Sequence, residues 1–531
     1  MCDRPAPQRF EQPPGPADWT HRAASLHGAR CRSFARRIAG RVVAGVAALA
    51  IAALPGVVSA SQPPSQTTPL ILDRGQFTDR VGFVATLKAD GESGVQPMPV
   101  DPTSLSPPYA LAGRLEPAAT PATAEPTHEA QFITAWNETV VETAYEVDQW
   151  FTLLGHRTLA MMHLAMHDAL NAIAPRYETY ALDAQWTDAH PVAAASQAAH
   201  DVARAAYPDH AERFAALHAR LLADVPDNAR AERGLALGAK TAAAIIAARE
   251  GDAVDAEVDP YSPESDAPGV YQFTEPHDFA AYVEAPHALP FVMRSADQFR
   301  VPPPPALDSE TYATDLNEVA ALGRRNSTER TPDQTHIAHW WAEFCESWCA
   351  RLARKLVAEH NLDAWDAARL FALLHVDNFD GYLTNFESKY HYAFWRPVTA
   401  IRAADDDGND ATASDPDWEP EMETLPHPDY PSAHAQACTG AAAIFEDAFG
   451  TADLRFTMDS ATAPEQGPAT RSYDNIHAAA EDCGLSRLYN GFHFRFAIDA
   501  GAQQGRERAA YVLATILRPL DAAPERKRDR H

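Results

Sequence analysis

Three short clusters in this chain of 531 residues carry side chains suited to holding an oxyanion and doing chemistry on it. The first is Lys389 followed by Arg396 and Pro397; the second is Pro431-Ser432-Ala433-His434; the third is Ser486-Arg487 followed by His493. Together they supply three cations, a hydroxyl and two imidazoles. A guanidinium is a planar fork that matches an oxyanion in a bidentate way, and an ammonium adds a compact charge. Ser432 precedes an Ala-rich apolar run and reads as a helix N-cap, where free backbone N–H groups and the helix dipole favour an anion. One imidazole can bond the central atom while the other moves protons. Taken singly the clusters are bland: a solvated Lys/Arg helix face, an ordinary cap, a basic helix end. Their order and company give them weight.

The elements that must position these residues are helical. Apolar residues recur at helical spacing over 136–151, 158–173, 191–206, 210–222 and 229–249. Residues 251–309 are dense in Pro, Asp and aromatic residues and read as irregular. Helices are expected again over 309–322, 331–357, 363–395, 432–449 and 486–517. Pro397 ends or turns a helix and so places Arg396 at an element terminus. Arg487 and His493 are not on one face of an ideal helix, so a bend or a helix start lies between them. Gly491, Gly501 and Gly505 allow close helix packing there. The fold class is mostly α: one large helical-bundle domain over 129–520.

Composition narrows the partners. The formal net charge of −29 argues against nucleic acid, whose binding depends on phosphate neutralisation. A local basic cluster in so acidic a chain points to a small anion. Residues 1–60 read as an export signal, with Arg30, Arg32, Arg36, Arg37 and Arg41 before the apolar run 42–58 and Val58-Ser59-Ala60 as a small-residue cleavage site. The mature protein is then secreted or periplasmic; anchoring by residues 42–58 is the alternative. Residues 61–128, rich in Pro and Ala, read as a disordered or loosely packed segment, and 521–531 as a charged tail. Cys345 and Cys349 read as buried thiols, and Cys438 and Cys483 flank two of the clusters as a possible disulfide. The Asp405-Asp406-Asp407-Gly408 stretch reads as a solvated turn, not a calcium loop. His163, His167 and Asp168 read as polar core contacts, and the Trp340-Trp341 pair as core.

With these residues in hand, the sequence resembles the vanadium-dependent haloperoxidase branch of the type 2 phosphatidic acid phosphatase superfamily. That superfamily's pattern is Lys-x6-Arg-Pro, Pro-Ser-Gly-His and Ser-Arg-x5-His. Further likeness lies in Trp136-Asn137-Glu138, the helix to Ile173, Pro290-Phe291, Gln298-Phe299-Arg300, Glu318 to Gly323 and Arg330-Thr331, so that it spans roughly 134–517. The resemblance implies a vanadate cofactor whose equatorial oxygens bond Lys389, Arg396, Arg487, the Ser432 hydroxyl and the N–H of Ala433. It implies His493 as the axial ligand to vanadium and His434 as the acid–base group. Hydrogen peroxide, halide and an organic acceptor are then the substrates, and two copies of the chain pair as a homodimer. Vanadium(V) in this scheme is a Lewis acid that polarises the O–O bond of peroxide towards halide attack.

Two departures bear on that scheme. Ala433 replaces the usual Gly, which matters if that position needs positive φ or close approach. The phosphatase branch has Asp four residues after the His, where this chain has Ala497, with Asp499 two further on; this favours the haloperoxidase branch. His427, five before Ser432, stands where chloride-oxidising members of the family tend to have Phe and algal bromide-oxidising ones His, so the resemblance implies bromide or iodide over chloride. Asp380 and Glu387 are expected to orient Lys389 or Arg487. The alternatives are an acid phosphatase with His493 as nucleophile and His434 as general acid, and a silent anion-binding relative.

Overall fold

The computed structural model describes residues 130–148, 152–226, 228–464 and 467–520, all within one compact unit. The export signal, the 61–128 segment and the 521–531 tail lie outside the described residues. Helices α1 (Gln131–Asp148), α2 (Leu154–Ile173), α3 (Pro191–Ala206), α4 (Ala211–Leu222) and α5 (Ala229–Ala248) form the N-terminal half. After an irregular stretch with only two short 3-10 turns come α6 (Glu310–Leu322), α7 (Pro332–Trp340), α8 (Cys345–Glu359), α9 (Ala364–Tyr392) and α10 (Pro397–Arg402). The chain ends with α11 (Ala433–Phe449), α12 (Ile476–Tyr489) and α13 (Arg495–Thr515). Among the described residues no helix is long and apolar enough to cross a membrane.

The long helix α9 is the axis of the bundle. Asp363 caps its start by accepting from the N–H groups of Trp365 and Asp366, and it stops at Ala393 in a left-handed conformation (φ 43°). Nearly every side chain between is buried, polar ones included, because α2 packs on one flank and α11 and α13 on the other. Arg508 of α13 and Asp377 of α9 form a fully buried bidentate pair, at 2.9 and 2.6 Å, that ties these two helices together.

Helices α11 and α13 approach closely because Gly501 and Gly505 face α11. A Cβ on Gly501 would lie 2.3 Å from the carbonyl oxygen of Ser432, and one on Gly505 would lie 2.3 Å from that of Gln436. The Cys438 and Cys483 sulfurs are joined, linking α11 to α12 across 45 residues of sequence. Cys345 and Cys349 are buried free thiols.

Three expectations are corrected. The single helix over 331–357 is two, α7 and α8. The Trp340, Trp341 and Trp348 rings pack on one another, and the intervening turn sends Glu343 inward to Arg351. The helix over 486–517 is also two, parted at Gly491 (φ 79°), and its first half starts at Ile476. The bend expected between Arg487 and His493 is therefore present. A short antiparallel hairpin, β1 (Phe456–Asp459) with β2 (Thr470–Tyr473), pairs Phe456 with Tyr473 and was not foreseen. His163, His167 and Asp168 do serve the core: His163 contacts Asn137 and stacks on His375, and Asp168 accepts from the N–H groups of Tyr180, Ala181 and Leu182.

Candidate active site

The three clusters converge at the C-terminal ends of α9 and α12 and the N-terminal ends of α10 and α11. Lys389 sits in the last turn of α9, fully buried, and its Nζ donates to the carbonyls of Pro428 and Asp429 at 2.9 and 2.8 Å. Burial first, and the nearby Arg396 second, hold its pKa well below the usual lysine value. An anion beside it would offset that penalty.

Arg396 is the N-cap residue of α10, with Pro397 at the first helical position. Its Nε donates to the carbonyl of His427 (2.7 Å) and Nη1 to that of Phe492 (2.9 Å), while Nη2 donates to His427 Nδ1 (2.9 Å). Nη1 also stands 3.3 Å from His493 Nε2. Because a guanidinium only donates, both imidazole nitrogens facing it are acceptors.

Ser432 caps α11, its Oγ accepting from the Ala435 N–H, and its own N–H donates to the carbonyl of Ala497 on α13 (2.8 Å). Ala433 is the first residue of α11 and is not among the described residues with positive φ. The backbone therefore does not require glycine there, and the Ala433 N–H remains one of the first-turn donors without an intrahelical acceptor.

Arg487 lies in the last turn of α12, donating to the carbonyl of Trp341 (3.2 Å) with its guanidinium 4.8 Å from the centre of the Phe492 ring. His434, in the first turn of α11 and partly open, contacts the carbonyl of Glu343 through Nε2 at 3.2 Å. A carbonyl only accepts, so Nε2 carries the proton and Nδ1 keeps its lone pair. Burial and then Arg487 hold the His434 pKa well below the ordinary value, so the ring stays neutral and basic. His493 is held in the loop before α13; burial, then Arg396, Lys389 and Arg487, keep it neutral too. Lys389, Arg396 and Arg487 are thus all close enough to act electrostatically on one imidazole.

His427 backs Arg396 and sets its ring edge-on to Phe386, with centroids 5.2 Å apart. The expectation for Asp380 and Glu387 is corrected. Asp380 accepts from the N–H groups of Phe291, Val292 and Met293, and Glu387 pairs with Arg300. At about 100° per residue, positions nine and two before Lys389 both fall on the far side of α9 from it. Asp499 is exposed and does not reach His493.

Sequence reasoning missed Asp429. Its carboxylate is fully buried among Lys389, Arg396 and His493, with Oδ1 2.8 Å from His493 Nδ1 and 4.0 Å from Arg396 Nη1. The contact to Nδ1 is short but bent, not directed along the N–H. Burial raises the Asp429 pKa to about 7, against the lowering effect of Arg396 and Lys389. The available signal was an acid standing alone in the Pro-His-Pro-Asp-Tyr-Pro run before Ser432.

The buried basic groups of Lys389, Arg396 and Arg487, the start of α11 and the neutral imidazoles of His434 and His493 form a donor set suited to a tetrahedral oxyanion. Residues 369–522, which hold every residue of the cluster, match the family model "VCPO second helical-bundle domain". The chain is similar to the vanadium chloroperoxidase of Curvularia inaequalis, with 26% identity over 467 residues, covering 66% of this chain and 75% of that protein. Its fold is similar to "the first bacterial vanadium dependant iodoperoxidase", with TM-score 0.64 and 23% identity, covering 75% of this chain and all of that one. It is also similar to an apo-type bacterial vanadium-dependent chloroperoxidase, with TM-score 0.54 and 16% identity over 68% of this chain and 92% of that one.

Proposed function

We propose that this chain is a vanadate-dependent haloperoxidase that oxidises halide with hydrogen peroxide, bromide or iodide in preference to chloride. The observation that supports it most is the meeting of Lys389, Arg396, Arg487 and the α11 start at the neutral His493 ring. The donor set fits vanadate: Lys389, Arg396 and Arg487 offset its charge, the Ser432 hydroxyl and the Ala433 N–H add donors, and His493 Nε2 offers a lone pair. Vanadate bound there would supply a Lewis-acidic centre that activates peroxide. His434 Nδ1 takes up and returns the proton of the entering peroxide, and the buried cations exclude water and hold the anion still. The halide preference rests on His427, which stands where chloride-oxidising members of the resembled family tend to have Phe and algal bromide-oxidising ones His, and whose Nδ1 lies 2.9 Å from Arg396 Nη2. Export of the mature chain and pairing of two copies belong to the same proposal, the first resting on the Arg-rich and apolar run within residues 1–60.

Bromination of a dimedone-type acceptor by the mature chain tests this, with peroxide, with and without orthovanadate, and with phosphate as competitor. Activity that appears with vanadate and falls with phosphate is expected. Its absence with every halide overturns the proposal. A second reading, acid phosphatase with His493 as nucleophile and His434 as general acid, is favoured by the carboxylate that Asp429 places beside His493. Turnover of a phosphate monoester in vanadate-free buffer, with no halide oxidation under any condition, would select it.

A further inference from the structure

His493 has two nitrogens with opposite tasks. Nε2 faces Arg396 Nη1 at 3.3 Å and must keep its lone pair towards the pocket, so the proton belongs on Nδ1. The group at Nδ1 is the carboxylate of Asp429, 2.8 Å away, carried by the loop between α10 and α11 and not by the segment that carries His493. Position 497, one helical turn beyond His493, is an alanine buried at the α11 contact, and Asp499 points to solvent.

Besides the His493 ring, Asp429 neighbours the charged Lys389 and Arg396, the latter with Nη1 4.0 Å from Oδ1. Neither of its carboxylate oxygens makes a directed hydrogen bond among the described residues, although the side chain is fully buried. Its backbone carbonyl is taken by Lys389 Nζ at 2.8 Å, and its N–H donates to the carbonyl of Phe394 at 2.9 Å, which fixes the carboxylate's origin on both sides. A buried carboxylate this close to an imidazole costs desolvation unless a proton between them is shared.

We propose that Asp429 is the positioning residue of His493: its carboxylate holds the Nδ1–H tautomer and the ring plane, so that Nε2 meets the central atom of the bound oxyanion. The inference rests on the oxyanion reading above and deepens it. A carboxylate so placed raises the basicity of the imidazole, as partners on the far nitrogen of ligating histidines do in metal sites. It also works against simple anion binding, because it adds a negative charge to the pocket. Those two effects have opposite signs, and this makes the role testable.

The test compares Asp429→Leu and Asp429→Asn with the parent chain. Dissociation constants are measured for orthovanadate and separately for inorganic phosphate, and ¹⁵N spectra of the histidine side chains are recorded without either anion. In the parent, His493 should show a protonated Nδ1 and a bare Nε2. Asp429→Leu should give mixed tautomers and weaken vanadate about 10- to 100-fold, while phosphate, which needs no bond from the imidazole, binds as well or better. Asp429→Asn, which keeps an acceptor oxygen, should restore the tautomer and most of the vanadate affinity. Vanadate and phosphate weakening together with a lowered Tm would make Asp429 a fold support and overturn the proposal, as would an unchanged tautomer in Asp429→Leu. If the parent binds phosphate but no vanadate, the cofactor reading fails; the ¹⁵N comparison still decides what Asp429 does.

Discussion

Replacing Gly501 by Ala sets two opposite effects against each other. In the interior of an exposed helix the change stabilises by about 0.5–1 kcal/mol, because the glycine chain loses more freedom on folding. Here the new Cβ would lie 2.3 Å from the carbonyl oxygen of Ser432 and 3.2 Å from its carbonyl carbon and nitrogen. Ordinary contact begins at 3.4 Å, so 3.4 less 2.3 leaves 1.1 Å that one helix must give up. Both partners are backbone, so no side chain can rotate away. Overpacking of this kind costs about 1–3 kcal/mol and exceeds the gain. The displaced atoms belong to the residue whose hydroxyl and following N–H groups face the pocket, and a misplacement of about 1 Å can cost on the order of 10²-fold in rate. Gly501→Ala should therefore lower Tm modestly and weaken phosphate binding and bromination far more than the Tm change suggests. Gly505→Ala, one turn further on against Gln436, should lose similar stability with a smaller loss of affinity. A Gly501→Ala protein that melts higher and binds phosphate unchanged would refute the claim that the α11–α13 spacing sets the pocket.

Ala433→Gly, which restores the family's usual residue, should change vanadate affinity by no more than about twofold, since Ala433 already has helical backbone angles; a tenfold gain by titration would show that the methyl group crowds the anion. Arg487→Ala should raise the vanadate dissociation constant more than Lys389→Ala, because a fork of donors is lost instead of one ammonium; equal constants would count against it. The pKa of His156, held down to about 3 by burial, makes it refuse a proton that the unfolded chain accepts near 6.5. Its penalty is absent above pH 6.5 and grows as the pH falls towards 3. Relative to His156→Gln, the parent should lose about 2 kcal/mol between pH 6.5 and 5 in denaturant titrations, and a pH-independent difference would remove this account.

The helices and the three clusters were legible because helical periodicity, Pro397 and the glycines are local signals. The break at 341–344 was not, since two adjacent indoles fit a helix as well as a turn, and only their packing on Trp348 chooses. The hairpin at 456–473 is four residues a strand, too short for alternation to speak. Asp380 looked like a partner for Lys389 by closeness in sequence, yet the helix turns it to the opposite side, where three loop N–H groups meet it. Asp429 was invisible for the converse reason: its partner His493 is far along the chain, and only the fold brings them together.

The placement of sulfur in the fold has a consequence for endurance. A catalyst that makes electrophilic halogen is exposed first to its own product, and thiolates and thioethers are its softest targets. Among the described residues none is offered. Cys438 and Cys483 are joined to each other, and burial pushes the Cys345 and Cys349 thiols well above their ordinary pKa, so neither becomes thiolate. Met161, Met162, Met166, Met293, Met422 and Met458 are all buried. Under the proposed chemistry, the sulfur atoms of the described residues are then reached by that product only when the bundle opens.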